Sequence, residues 1–342
     1  MLTVGVLLGL GAAFLQAAAY LLSRRFAVRE GRSAMQLLVM SHVMQGVVCI
    51  PAAIMLWPAT MPPVWTWGRW VLLSSGAYLV AQTCLFLTLR TIDASRISPL
   101  LGMKVAAVAI LNLILFREAL LPAQWAAVGM MATAAFALNY TGGALPWTVV
   151  ATVLTSCLGY AISDLSIVAF IDEMEGMSVI AASSLVLCLV YIVSAAVGVI
   201  ALRWLPNRGW RSLASWRAAT PYAATWLVGM ILLFASFAAA GVVLANMMQS
   251  TRGLMSILLG AVVAWAGHEH VERKVSRSVL GRRVVAAGAM AIAIGVFVAA
   301  PYFLKSAPDA TTWSSASSQT ASAAAPVRRW PEVDDANLQQ MR

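Results

Sequence analysis

Lys104 stands seven residues inside "ISPLLGMKVAAVAILNLILF" (Ile97–Phe116), an otherwise apolar run. An ammonium group in such surroundings pairs with an anion, faces trapped water, or reaches along its stem to a wetter edge. Other polar side chains are scattered through similar runs: Gln16, Tyr78, Gln82, Ser156, Tyr160 and Asn246. Ser75, Tyr78 and Gln82 fall at i, i+3 and i+7, so a helix puts them on one face. Polar groups surrounded by hydrocarbon must find a partner or water. Each is therefore either a hydrogen bond between helices or part of a cavity wall. Gln16 shares a face with Gly9, Ala13 and Tyr20, which favours helix contact in its case.

The anions available to Lys104 are few. Asp164 is eighteen residues into its own apolar run, where it reads either as a charge at the membrane edge or as the partner. Asp93 reads as a solvated loop residue. In "HEHVE" (His268–Glu272), the histidines are two apart and diverge on a helix, so the H-E-x-x-H metal pattern is absent. Cys49, Cys84, Cys157 and Cys188 lie singly in apolar stretches, without metal-pair or disulfide spacing. No P-loop is present, and no catalytic pairing of nucleophile and base can be traced. No cofactor is implied. The chemistry left to these residues is recognition of a small molecule, with Lys104 favouring an anionic group.

The elements that carry them are membrane helices. Of 342 residues, 61% are hydrophobic and 11% charged, and mean hydropathy is +0.83. The net charge of +10 sits mostly between apolar runs, without the basic and aromatic stripe of a nucleic-acid binder. A helix crosses the hydrocarbon in about 20 residues. Ten candidate crossings can be marked: Leu2–Leu22, Met35–Trp57, Trp70–Leu89, Ile97–Phe116, Ala123–Tyr140, Pro146–Phe170, Met177–Leu202, Pro221–Leu244, Gly253–Gly267 and Val284–Leu304. Between the seventh and eighth, "RWLPNRGWRSLASWRAAT" reads either as a short amphipathic surface helix or as a loop with interfacial tryptophans. Residues 305–342, rich in Ser, Ala and Pro, read as a disordered tail.

The runs repeat. "AYLLSRRF" (Ala19–Phe26) pairs with "GYAISDLS" (Gly159–Ser166), and "LRTIDASR" (Leu89–Arg96) with "ANMMQSTR" (Ala245–Arg252). Helices one to five (residues 1–140) thus match six to ten (residues 141–304). Five crossings per half place the halves inverted in the bilayer, an arrangement of secondary transporters. Small residues four apart, as in Gly5, Gly9 and Ala13, in Ser98, Gly102 and Ala106, and in Ser256, Gly260 and Ala264, allow close helix contact. Lys104 lies about 200° round its helix from Gly102, away from that contact face. Fifteen Lys and Arg fall in odd-numbered loops and three (Arg69, Arg117, Arg252) in even-numbered ones. That bias puts the odd loops in the cytoplasm and both termini outside.

The stretch "LRTIDASRISPLLGMKVAAVAILNLILFREALLPAQW" (Leu89–Trp125) resembles the drug/metabolite transporter superfamily, in its ten-helix EamA-like branch. Leu89, Arg90, Ala94, Ser95 and Arg96 match that family's approach to helix four. Glu118 matches its terminal Glu, and Pro122, Gln124 and Trp125 match the start of helix five. Arg117 replaces the usual Gly, Gln16 stands where Trp is common, and Val105 replaces a usual Pro. The resemblance implies a bacterial inner-membrane protein with both termini in the cytoplasm, opposite to the charge count.

The expected fold is all-α and integral to the membrane, ten helices as two inverted five-helix repeats. The expected function is a secondary transporter, exporting a small metabolite or drug by alternating access. It is not an enzyme, and its partners are a small and possibly anionic substrate and membrane lipid, not nucleic acid. Lys104, Gln16, Tyr78, Gln82, Ser156, Tyr160 and Asn246 are the expected substrate-binding residues. The alternatives are a membrane-embedded lipid-modifying enzyme and a non-transporting sensor.

Overall fold

The computed structural model describes residues 2–30, 33–89, 101–139, 146–174, 176–205, 210–265 and 277–305. Asp93, the "LRTIDASR" approach, Ser98, the "HEHVE" join and the tail after Lys305 lie outside them. The chain divides into Met1–Ala300, to which all the packing described below belongs, and Pro301–Arg342. The described residues form helices and no strand.

Eleven α-helices are described in chain order: α1 (Leu2–Glu30), α2 (Ala34–Leu56), α3 (Val64–Leu89), α4 (Lys104–Phe116), α5 (Pro122–Asn139), α6 (Trp147–Asp172), α7 (Val179–Ala201), α8 (Leu213–Ala240), α9 (Val242–Ser250), α10 (Arg252–Trp265) and α11 (Arg277–Lys305). Ser33 and Ser178 start α2 and α7, each side-chain oxygen accepting the amide three residues on, at Gln36 and Ala181. Six helical stretches are long and apolar enough to span a membrane: Leu2–Ser23, Ala34–Leu56, Trp147–Asp172, Val179–Trp204, Leu213–Ala240 and Val284–Tyr302.

Polarity is arranged inside out. Gln16, Gln45, Gln82, Asn112, Asp164 and Asn246 are buried, while Leu7, Ile54, Met55, Ile114 and Val228 are exposed. In water such a surface would be a large apolar patch. In lipid it is the expected exterior, and the protein is an integral membrane protein.

Three helix pairs make the body: α1 with α8, α2 with α7, and α3 with α6. Each contains a glycine where no other residue fits. A Cβ on Gly9 would lie 2.8 Å from the Met248 Cβ and 2.9 Å from the Ser236 Oγ. On Gly46 it would collide with the Ala195 Cβ and lie 2.9 Å from the Tyr191 carbonyl. On Gly159 it would lie 2.8 Å from the Ala77 carbonyl. Hydrogen bonds cross the same contacts: Ser236 Oγ donates to the Gly5 carbonyl (2.7 Å), and Ser74 and Ser163 share a bond of 3.0 Å. Lipid tails give apolar helices no reason to associate, so close backbone contact and these bonds carry the packing.

Several element boundaries differ from the sequence reading. The fourth crossing does not present Lys104 mid-helix: Gly102 and Met103 form a turn and α4 starts at Lys104. The eighth starts earlier, at Leu213, and breaks at Gly241 (φ 81, ψ 154), leaving the separate helix α9. The segment before it contains no separate amphipathic helix among the described residues. Trp216 belongs to α8 and donates from Nε1 to the Trp210 carbonyl (2.6 Å). Arg117 ends α4 with φ 56 and ψ 24, the left-handed conformation that glycine adopts freely. This accounts for the glycine usual at that position in the family the sequence resembles.

Two substitutions follow. Gly46→Ala is expected to lower the thermal midpoint of the detergent-solubilised protein, whereas Gly76→Ala, with nothing within 4 Å of the added Cβ, is not. Arg117→Gly is expected to raise it, because relief of a left-handed residue is worth about 1 kcal/mol.

Candidate functional site

The helix pairs enclose a cavity of about 650 Å³, counting its open mouth. Its apolar wall is mostly aromatic: Tyr20, Tyr78, Tyr160, Tyr191, Trp226 and Phe234. Trp226 stands edge-on to Tyr20 with centroids 6.0 Å apart and donates from Nε1 to the Tyr191 hydroxyl at 3.0 Å. Gln82 donates from Nε2 to the Tyr78 hydroxyl at 2.8 Å, one helical turn away on α3. These bonds fix the positions of the rings in the wall.

The polar wall is one connected network from five helices. Lys104, the first residue of α4, is 9% exposed and lies 2.7 Å from the Asp164 Oδ2 on α6. Its Nζ also donates to the Gln249 Oε1 on α9 at 2.9 Å and lies 5.6 Å from the Tyr160 ring centroid. Asn246, three residues before Gln249 on the same face of α9, donates to the Asp164 Oδ2 at 2.9 Å. Gln249 Nε2 donates to the Gln16 Oε1 on α1 at 3.1 Å. Arg252, the first residue of α10, donates to that same oxygen at 3.3 Å, and its guanidinium lies 5.5 Å from the Tyr20 ring centroid.

The charges do not balance. Lys104 and Asp164 cancel as a buried ion pair. Arg252 lines the cavity with an amide oxygen and an aromatic face as partners, and no carboxylate within ion-pair distance among the described residues. Among the described residues the site therefore carries one net positive charge beside an aromatic wall.

Of the residues singled out from the sequence, Lys104, Tyr78, Gln82 and Tyr160 line the cavity. Gln16 and Asn246 stand behind it, each bonded to a lining residue. Ser156 does not reach it: its hydroxyl is turned back to the Thr152 carbonyl at 3.1 Å. Lys104 is not lipid-facing, and Asp164 is not an edge charge, being 5% exposed with eight residues of α6 still to run. Arg252 had been counted as a loop charge and is instead half-buried at the cavity. Tyr20, which the sequence leaves between helix contact and cavity wall, lines the cavity, and Gln249, Tyr191 and Trp226 were missed. The pair Asn246 and Gln249, three apart in an apolar stretch, carried a visible signal, whereas the aromatic residues look like ordinary membrane-helix composition.

Residues 3–140 match the EamA-like transporter family. The match covers α1 to α5 and so includes Gln16, Tyr78, Gln82 and Lys104 of the site. No curated protein matches the chain. The fold recurs among solved structures, with matches to 27 chains. One, a crystal structure described simply as that of a protein, shares 14% identity with a TM-score of 0.68, over 90% of this chain and 100% of its own. The EamA-like half supplies Lys104 and the other half supplies Asp164, so the central ion pair joins the two.

Removing one member of a buried ion pair strands the other, typically at about 3–5 kcal/mol. Lys104→Met and Asp164→Leu are each expected to lower the yield and thermal midpoint of solubilised protein. The double variant should recover most of the loss. A double-mutant cycle on the thermal midpoint measures that coupling.

Proposed function

We propose that the chain is a secondary transporter of small monoanions with an aromatic or apolar body, working by alternating access. The observation that carries this reading is Arg252, a cation on the cavity wall with no carboxylate within ion-pair distance among the described residues, beside an aromatic lining. A carboxylate or similar group would bond the guanidinium and neutralise the site. The body of the ligand would lie against Tyr20, Tyr160 and Trp226. The match of the first half to a transporter family supports the transport part of the reading.

The helix pairing supports two inverted repeats, residues 1–140 and 141–304. A two-fold axis that carries crossing n onto crossing n+5, with α8 and α9 together the eighth crossing and α10 the ninth, turns the pair α1·α8 into α6·α3 and leaves α2·α7 on itself. It also turns α4·α6 into α10·α1. All of these contacts occur. The breaks at Gly102–Met103 and at Gly241 set short helices against the cavity, as in transporters whose sites are built from interrupted helices. Alternating access follows as rocking of one half against the other, with the Lys104–Asp164 contact as the joint between them. The export direction rests on the family resemblance alone.

The test uses benzoate and benzylammonium, similar in shape and opposite in charge. In proteoliposomes of the purified full chain, benzoate should show saturable binding and counterflow, and benzylammonium neither. Arg252→Gln should weaken benzoate binding by about ten-fold or more, the loss of one hydrogen bond to a charged group. Equal binding of the two probes, or benzoate affinity unchanged by Arg252→Gln, overturns the anion assignment.

A further inference from the structure

A second polar cluster lies deep in α2, apart from the Lys104 network. His42 is 4% exposed and Gln45 2%. His42 is the ninth residue of α2, about 12 Å along the axis and well into the bilayer. Its Nδ1 is 2.7 Å from the Leu38 carbonyl oxygen. A carbonyl only accepts, so Nδ1 carries a proton and the neutral ring presents a bare lone pair at Nε2. That nitrogen is buried without a hydrogen-bond partner. Gln45, three residues on and so on the same helix face, uses its Nε2 on the Ala223 carbonyl of α8 at 3.0 Å. Its Oε1 is also buried without a partner.

Two acceptors without a donor, on residues one helical turn apart, are costly in a low-dielectric interior. One proton answers both. On Nε2 it converts that atom from acceptor to donor, and the Gln45 Oε1 accepts the new N–H directly or across one water. Two aromatic rings flank the imidazole. The imidazole ring lies 5.6 Å from the Tyr78 ring of α3 and 6.1 Å from that of Tyr191 of α7, nearly parallel to the second at 27°. Aromatic faces attract a cation, and more strongly where water is excluded.

The other titratable groups nearby are identifiable. Two turns along the same face, Cys49 meets Cys188 of α7. Tyr222 of α8 and Tyr20 of α1 pack on Trp226, which bonds Tyr191. Lys104 and Arg252 reach the cavity from α4 and α10. No carboxylate contacts the imidazole among the described residues.

We infer that His42 and Gln45 form a buried proton-binding site behind the cavity wall, with the His42 Nε2 taking the proton and Gln45 holding it. Tyr78 and Tyr191 touch His42 on one side and line the cavity on the other, so the protonation state is transmitted to the wall by direct contact. The added positive charge favours an anion in the cavity, and by linkage an anion favours the proton.

The site is tested without any substrate, so its outcome is independent of the transport reading. The full chain, labelled with 15N-histidine, contains three imidazoles, and the His42 resonances are those lost in His42→Gln. In wild type they should change from the Nδ1–H tautomer to the doubly protonated ring as the pH is lowered through the range in which the protein stays folded. Trp226 fluorescence, identified by its loss in Trp226→Phe, should follow the same curve and become flat in His42→Gln. Gln45→Leu should lower the His42 midpoint by about one pH unit, the ten-fold loss expected when a hydrogen bond to a charged group is removed. A His42 ring that stays in one neutral tautomer across that range overturns the inference. So does a midpoint that Gln45→Leu leaves in place. The wild-type titration decides the first point even where a variant fails to fold.

Discussion

The buried contact between Lys104 and Asp164 is the interaction on which the rest of the interior depends. A lysine at the centre of a membrane helix costs about 2.5–3.5 kcal/mol even on the mildest scales. Here the charge is held between a carboxylate at 2.7 Å and an amide oxygen at 2.9 Å. These partners come from α6 and α9, so satisfying one ammonium group fixes the relative position of three helices. The requirement extends outward. Asp164 needs a donor, which is Asn246. Gln249 needs an acceptor for its own N–H, which is Gln16. Each polar residue is present because its neighbour in the network is. A half-satisfied network in a low dielectric would cost more than an apolar core.

That constraint explains how the small residues are placed. The network closes only if the helices approach to hydrogen-bond distance through side chains as short as Asp and Asn. Close approach in turn requires glycine where helices cross, at Gly9 on α1, Gly46 on α2 and Gly159 on α6. Packing and polarity are thus one requirement seen from two directions. The same logic places the first residues of α4 and α10, Lys104 and Arg252, beside the cavity, where helices that begin in the interior deliver their side chains.

Much of this was legible from the sequence. Long apolar runs declare membrane helices because hydrocarbon allows few other structures. Lys104 declared itself by its cost, and Gln16 and Asn246 by their isolation. Asp164 was harder to place, because its distance from the helix start does not show where the bilayer ends. Arg252 was read as a loop charge for the same reason, since a break before a helix looks identical whether it lies in water or in a cavity. Ser156 misled in the other direction, because a serine in a helix satisfies itself on the carbonyl four residues back and declares nothing. His42 and Gln45 were invisible as a pair. Their meaning lies in which atoms are left without partners, and that depends on what the opposite helix presents.

The two polar clusters differ in kind, and the difference bears on how such a protein couples its parts. The Lys104 network is closed around its ion pair: among the described residues its charges are matched apart from Arg252, and Asn246 Oδ1 is its one atom buried without a partner. The His42 cluster is open, with two unpartnered acceptors one helical turn apart. A closed network resists change and an open one responds to it. Tyr78 and Tyr191 stand between the two, in ring contact with His42 and on the wall of the cavity that Lys104 and Arg252 also line. A proton taken up on α2 therefore acts on the cavity through aromatic rings rather than through the ion pair.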